Sequence, residues 1–343
     1  MKRPYLVFTL VLPLFFGIGN SFAQSSLSLK GFLDFDAAYN PNSKVTSFSL
    51  GEQDLFITSD ITKNLSFLGE SVIKFDATSS THFAVSLERG IIKYNYYGNH
   101  SILFGKFHTP VNYWNDTYHH GRVFYPTIFR PEVFNSTIVP IHGAGVRLSG
   151  ENLGKLKFGY DALISNGIGS MEVTDNNQAK SVCLAFHIKP VEGSRFGASF
   201  YNDFLSPGTM RPNGTMTMVP ITQNIVTVSA SYFKNNIELL TEHSAVMNQS
   251  TDTAVGTNLT HCYYGYIGYA IKDKYVPYFR FDYLEVPKKD IYFTPQFSNI
   301  YTFGFRYEIS YLAVVKVEYQ YKWSSTIKGN EVNNYYFQFA IGF

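Results

Sequence analysis

The densest group of side chains able to do chemistry lies between residues 108 and 142: His108, Asp116, His119, His120, Arg122, Arg130, Glu132 and His142. Imidazole, carboxylate and guanidinium this close together could ligate a metal, move protons or filter ions. A zinc site from His119, His120 and a third histidine is conceivable. Adjacent histidines on extended chain point to opposite sides, however, and no Cys or acidic cluster adds ligand spacing, so no metal and no cofactor are expected. Catalysis is not expected either, because the chain has no Gly-x-Ser-x-Gly elbow, phosphate loop or His-Glu-x-x-His. What remains is a filter. Arg122 and Arg130 balance Asp116 and Glu132 at neutral pH, and the histidines would tip the set cationic as pH falls.

These residues sit on a connection, about 108–141, that is much longer than any other and is read as structureless. Such loops are functional or disordered. Trp114, Phe124, Phe129 and Phe134 argue for burial over disorder. Packed inside a hollow fold, the loop would make a constriction of Asp116, His119, His120, Arg122, Arg130 and Glu132. The plainer alternative is a rigid external loop held by its prolines and aromatic rings.

The elements around it read as strands. From Ser26 to Phe343 apolar and polar residues alternate in blocks of about 10 to 13, as in Tyr301, Phe303, Phe305, Tyr307 against Thr302, Gly304, Arg306, Glu308. Short turns near 62–64, 97–100, 151–154, 190–194, 234–235, 272–274 and 310–312 take turns with longer connections. The longer ones fall near 40–47, 77–82, 108–141, 166–178, 204–221, 247–258, 287–298 and 326–332, and together the two sets predict sixteen strands. A soluble sandwich also alternates. An even strand number, strands long enough to cross a bilayer, and aromatic residues crowding strand ends favour an all-β transmembrane barrel, antiparallel and one domain over 24–343.

If the apolar face meets lipid, the other face lines an interior where Lys30, Asp34, Lys74, Arg147, Lys157, Arg280, Arg306, Glu308, Lys316 and Glu318 stand beside water. A barrel of sixteen strands leaves an aqueous channel. Over the whole inward face twelve basic residues are expected against eleven acidic, and that near balance argues against a filter of one sign. The alternative is that these charges merely pair across strands.

Composition agrees. With 28 Lys and Arg against 26 Asp and Glu the chain has no nucleic-acid footprint, and 31 Phe and 26 Tyr exclude disorder. Lys2 and Arg3, an apolar run from Tyr5 to Gly19 and small residues Ser21 and Ala23 predict a cleaved export signal, 1–23. Cys183 and Cys262 fall on the eighth and twelfth strands, too far apart to bridge, so both thiols are expected free.

The segment Gly105 to Gly121, with Arg130-Pro131-Glu132, Pro140-Ile141-His142, and the earlier Leu55-Phe56-Ile57-Thr58 and Glu88-Arg89, resembles a family of porin-like proteins of the Gram-negative outer membrane. The resemblance runs from about Gly51 to Gly150. The whole layout is also similar to the general porins, and Phe343, with Ile341, Phe339, Phe337 and Tyr335, looks like their assembly signal. The resemblance implies outer-membrane lipid and the barrel-insertion machinery as partners, passive diffusion of ions and small hydrophilic solutes, and a homotrimer. The chain departs from general porins in having a loop rich in His and aromatic residues where they carry a dense acidic cluster. An outer-membrane barrel hydrolase, for which carboxylate pairs such as Asp34 and Asp36 are only a weak sign because they recur on nearly every such strand, and a surface adhesin are the alternative functions.

Overall fold

Period-two alternation leaves a strand with one apolar and one polar face, and a lipid bilayer accepts strands only when every backbone N–H and C=O is paired. The computed structural model meets both conditions with a closed barrel. It describes residues 26–76, 78–118, 121–168, 174–250, 252 and 259–343. The expected signal, 1–23, and the candidates His119 and His120 lie outside the described residues.

The strands are β1 Ser26–Asn40, β2 Val45–Asp60, β3 Leu65–Phe75, β4 Phe83–Tyr97, β5 His100–His108, β6 His142–Leu153, β7 Phe158–Ser165, β8 Ser181–Ile188, β9 Ser194–Leu205, β10 Ile221–Lys234, β11 Ile237–Ser250, β12 Leu259–Tyr269, β13 Tyr275–Val286, β14 Gln296–Ser310, β15 Ala313–Ser324 and β16 Glu331–Gly342. Each is antiparallel to its sequence neighbours, and β16 returns to β1 with Phe32 opposite Gly342 and Tyr39 opposite Tyr335. The seam is extended by a reciprocal pair of bonds, Gly31 N to Phe343 O and Phe343 N to Gly31 O, each 2.9 Å.

Burial is inverted relative to a soluble protein. Leu27, Phe48 and Val85 are more than 70% exposed on the outer face, whereas Lys316, Gln338 and Thr302 on the inner face are 0% exposed. Outward rings pack tilted against one another across β13 and β14, Phe279 with Phe303 and Phe281 with Tyr301 at 5.0 Å each.

Several expectations need correction. Strands run from 8 to 16 residues, so block length varies more than the alternation implied. The connection expected at 40–47 is a tight turn, because Asn40 Oδ1 accepts the N–H of Asn42 (2.9 Å) and Ser43 (3.0 Å) and lets β1 and β2 pair up to Asn40 opposite Val45. The turn expected at 151–154 falls at 154–157, since β6 continues to Leu153. Lys157 is therefore exposed in that turn with φ 47° and does not line the wall. The 108–141 connection carries two short helices, α1 (Tyr113–Tyr118) and α2 (Glu132–Asn135), and a 3-10 turn at Arg122–Phe124.

The inner face is also less uniformly hydrophilic than expected. Between β7 and β13 it contributes Leu163, Leu205, Ile225, Val246 and Leu284 to a buried apolar cluster that includes Val111, Trp114 and Phe134 of the long connection. Cys183 and Cys262, on β8 and β12, are buried free thiols in the same cluster.

At the seam the terminal ring lies over a glycine: a Cβ on Gly31 would stand 2.4 Å from Phe343 Cζ and 3.0 Å from Asp54 O. Gly31→Val should therefore cost ~1–3 kcal/mol of barrel stability by overpacking. The readout is a lower temperature for the heat-dependent mobility shift in detergent electrophoresis; an unchanged shift temperature would mean that the ring moves aside freely.

Candidate functional site

The 109–141 segment is a chain of backbone groups that secondary structure leaves mostly unpaired, and its partners come from the barrel wall. Its root is closed by Asn115, whose Nδ2 donates to Thr109 O and Ile141 O at 2.9 Å each. Thr109 Oγ1 also donates to Pro140 O. Glu242 on β11 caps α1, accepting the N–H of Tyr113 (2.6 Å) and Trp114 (2.9 Å), while Tyr264 Oη donates to the same carboxylate at 2.5 Å. Trp114, fully buried, packs against Tyr118, Tyr125 and Tyr264 with ring centroids 5.1 to 5.9 Å apart.

Beyond α1 the segment crosses to other strands. Gly121, at φ 81°, offers its N–H to Asp54 on β2 at 3.3 Å. Arg122 Nη1 reaches Asp34 (3.0 Å) and Asp36 (2.9 Å) on β1. Three neighbouring strands then grip the carbonyls that follow. Arg280 on β13 donates to Phe129 O (2.6 Å), Arg130 O (3.3 Å) and Thr127 Oγ1 (2.5 Å). Arg306 on β14 donates to Pro126 O at 3.0 Å, and Lys316 on β15 to Arg122 O (2.6 Å) and Thr127 O (3.2 Å). Carboxylates complete the arrangement by accepting N–H groups: Glu318 from Ile128 at 2.7 Å and Asp282 from Glu132 at 3.0 Å. Charged wall groups thus meet main-chain dipoles, where hydrogen bonds are stronger than between neutral partners.

Two cavities flank residues 122–132, one against β13–β16 and the other against β11–β14. One of about 590 Å³ is lined from the long-connection end by Asn213, Thr294 and Gln296, together with Arg130, Glu132 and Lys322. The other, about 490 Å³, is lined from the short-turn end by Asp273, Lys274, Ser310 and Tyr311, with Val123, Phe124 and Arg306.

The predicted constriction residues are spread around the wall. Asp116 accepts from Arg147 at 3.2 Å, and Arg147 also holds Asp161 at 2.7 Å. Glu132 pairs with Lys322 at 2.7 Å. Arg122 and Arg130 come together on either side of Glu52, at 4.0 and 3.9 Å, with Arg130 Nε donating to Tyr125 Oη at 3.2 Å. Burial works against the charge of Arg122, but Asp34, Glu52 and Asp36 more than offset it and hold its pKa above the ordinary value. Burial pushes the Tyr125 phenol up to about 12, so it stays neutral. His108 and His142 pack with ring centroids 5.4 Å apart at the root of the segment, with His142 Nε2 2.9 Å from Glu88.

Of the proposed lining residues, Asp34, Arg147, Arg280, Arg306, Glu308, Lys316 and Glu318 lie on the inner face as partners in these networks, while Lys30 and Lys74 sit exposed towards strand ends. Glu52, Asp54 and Tyr125 were missing from the candidates. The signal for the first two was present, since Glu52 and Asp54 repeat on β2 the i, i+2 carboxylate spacing of Asp34 and Asp36 on β1.

No protein-family model and no curated protein sequence matches the chain. Solved structures do match. The trimer form of in-vitro folded OmpT, an outer membrane protein of Vibrio cholerae, has TM-score 0.65 at 14% identity over 93% of this chain and 99% of that one. The outer membrane channel DcaP of Acinetobacter baumannii has TM-score 0.64 at 12% identity over 94% and 99%. Salmonella typhi OmpF, in a complex with daunomycin, has 0.61 at 13% over 92% and 97%. At such identities the likeness is one of fold, and the fold is that of a porin-like outer-membrane β-barrel.

Replacing Arg280 by Met should cost ~3–5 kcal/mol, because it strips partners from three groups of the segment and leaves Asp282 buried without its guanidinium. Limited proteolysis should then cut between 122 and 132 while the barrel stays intact; resistance equal to the parent protein would show that the guanidinium is dispensable for holding the segment.

Proposed function

We propose that this barrel is an outer-membrane porin, passing ions and small hydrophilic solutes by diffusion, with the 109–141 segment inside it as the constriction. The observation that carries this reading is the pair of cavities, about 590 and 490 Å³, the first mainly polar and the second mixed, that flank residues 122–132. A solute entering from the long-connection end would meet the first cavity and would have to pass residues 122–132 to reach the second. Hydrogen bonds from the segment to β1, β2, β6, β11, β13, β14 and β15 support its placement within the cylinder. A peptide tethered on so many sides leaves a narrow path, so conductance steps should be small.

No covalent chemistry is assigned to the protein. The carboxylate pair that would suggest a hydrolase, Asp34 and Asp36, is engaged by Arg122 and by Gln338 Nε2, which lies 3.1 Å from Asp36, and so serves to hold the segment. The trimer form of the Vibrio protein makes a homotrimer the assembly to look for, by mass measurement of the detergent complex.

In planar bilayers the purified protein should give discrete conductance steps, and deletion of residues 111–134 should enlarge each step. Well-folded barrel without channels would overturn the porin reading; unchanged step size in the deletion variant would put the segment outside the conduction path.

A further inference from the structure

The larger cavity also carries information about its occupant, because its charges and its spare hydrogen-bonding groups are different residues. Each ionic side chain on its lining has a counter-charge: Lys322 holds Glu132 at 2.7 Å, Arg280 holds Asp282 at 2.8 Å, and Arg130 stands 3.9 Å from Glu52. Each of the three cations therefore already has a carboxylate within 4 Å, Glu52 being shared with Arg122, and none stands as a bare charge.

The unused polar capacity belongs to neutral amides. Gln296 makes no side-chain hydrogen bond among the described residues, and Gln320 has one long bond from Nε2 to Thr302 Oγ1 at 3.5 Å. Asn334 is more engaged: its Oδ1 accepts from Asn40 Nδ2 at 2.9 Å and its amide also hydrogen-bonds the Tyr336 hydroxyl, so the spare capacity rests with the two glutamines. An amide donates and accepts side by side, which matches a hydroxyl that does both and matches a carboxylate or an ammonium only in part. Between these amides stand two rings, Phe129 and Tyr336, set edge to face at 4.6 Å. They present apolar surface to the weakly polar faces of a ring-shaped solute.

We propose that this cavity is a binding site for a neutral polyhydroxylated solute, an oligosaccharide of two or three rings. A volume of about 590 Å³ lies within the ~300–1,000 Å³ of small-molecule sites. The site deepens the porin reading and rests on it for its purpose, but binding is measured independently of conduction.

The probe is raffinose, a neutral trisaccharide, titrated by calorimetry into the protein held in a sugar-free amine-oxide detergent, with trigalacturonate as its anionic counterpart of similar size. Saturable raffinose binding with a Kd on the order of millimolar or tighter, and no saturation by trigalacturonate, is the expected result. The double variant Gln296→Ala, Gln320→Ala and the single variant Tyr336→Ala should each weaken binding about fivefold to tenfold. The heat-dependent electrophoretic shift certifies that each variant is folded, and the comparison of the two sugars needs no variant. Absence of saturable raffinose binding, equal or tighter binding of trigalacturonate, or unchanged affinity in folded variants would each overturn the proposal. Channels that conduct but bind no raffinose would remove this site alone, whereas raffinose binding by a barrel without channels would remove the porin reading and leave the site.

Discussion

Everything in this molecule follows from the closure of the backbone ladder. A strand in hydrocarbon has no water to pair its N–H and C=O groups, so each must find another strand, and the sixteenth must find the first. The Gly31–Phe343 bonds finish that circuit at the last residue of the chain. Once the ladder is closed, the alternation of side chains does the rest. Leucine, phenylalanine and valine turn outward at no cost because lipid is their solvent, and lysine, glutamine and threonine turn inward, where they are buried against protein.

The 109–141 segment poses its own version of the same demand. A peptide of more than thirty residues with little regular structure brings many unpaired backbone groups, which are costly wherever water is excluded. The wall answers with charge of the appropriate sign at each point. Carboxylates of Glu242, Glu318, Asp282 and Asp54 accept N–H groups, and Arg280, Arg306 and Lys316 donate to carbonyls. Side chains that looked like the lining of an electrostatic filter are in large part the fittings of the segment, each neutralised by a dipole or a counter-charge. In the larger cavity the groups least engaged in such pairs are glutamine amides and aromatic rings.

The apolar patch between β7 and β13 fits the same picture. Trp114, Val111 and Phe134 need an apolar surface, and Leu163, Ile225, Val246 and Leu284 supply it on the inner face. One side of the barrel therefore behaves as a packed core, and the larger cavity opens beside it where β14, β15 and β16 present Gln296, Gln320, Lys322 and Asn334. The division is a consequence of a single amphipathic segment choosing the wall that suits each of its faces.

Strand number, outward and inward facing, the Cys positions on β8 and β12 and the existence of one exceptional connection were legible in the amino-acid order. Period two is a local property, and lipid and protein interior sort it in the same way along the whole chain. The sharp turn after Asn40 reads in the sequence as a longer connection, because its hydrophilic neighbours look like a loop until the Asn40 side chain is seen to accept the N–H groups of Asn42 and Ser43. Which wall each loop residue meets was not legible. Lys316 and Arg122 are 194 positions apart, and Lys322 and Glu132 are 190 apart. Tertiary structure alone decided these partners, because most of the wall's bonds go to backbone carbonyls and N–H groups, and a backbone group is the same at nearly every residue and so writes nothing into the sequence.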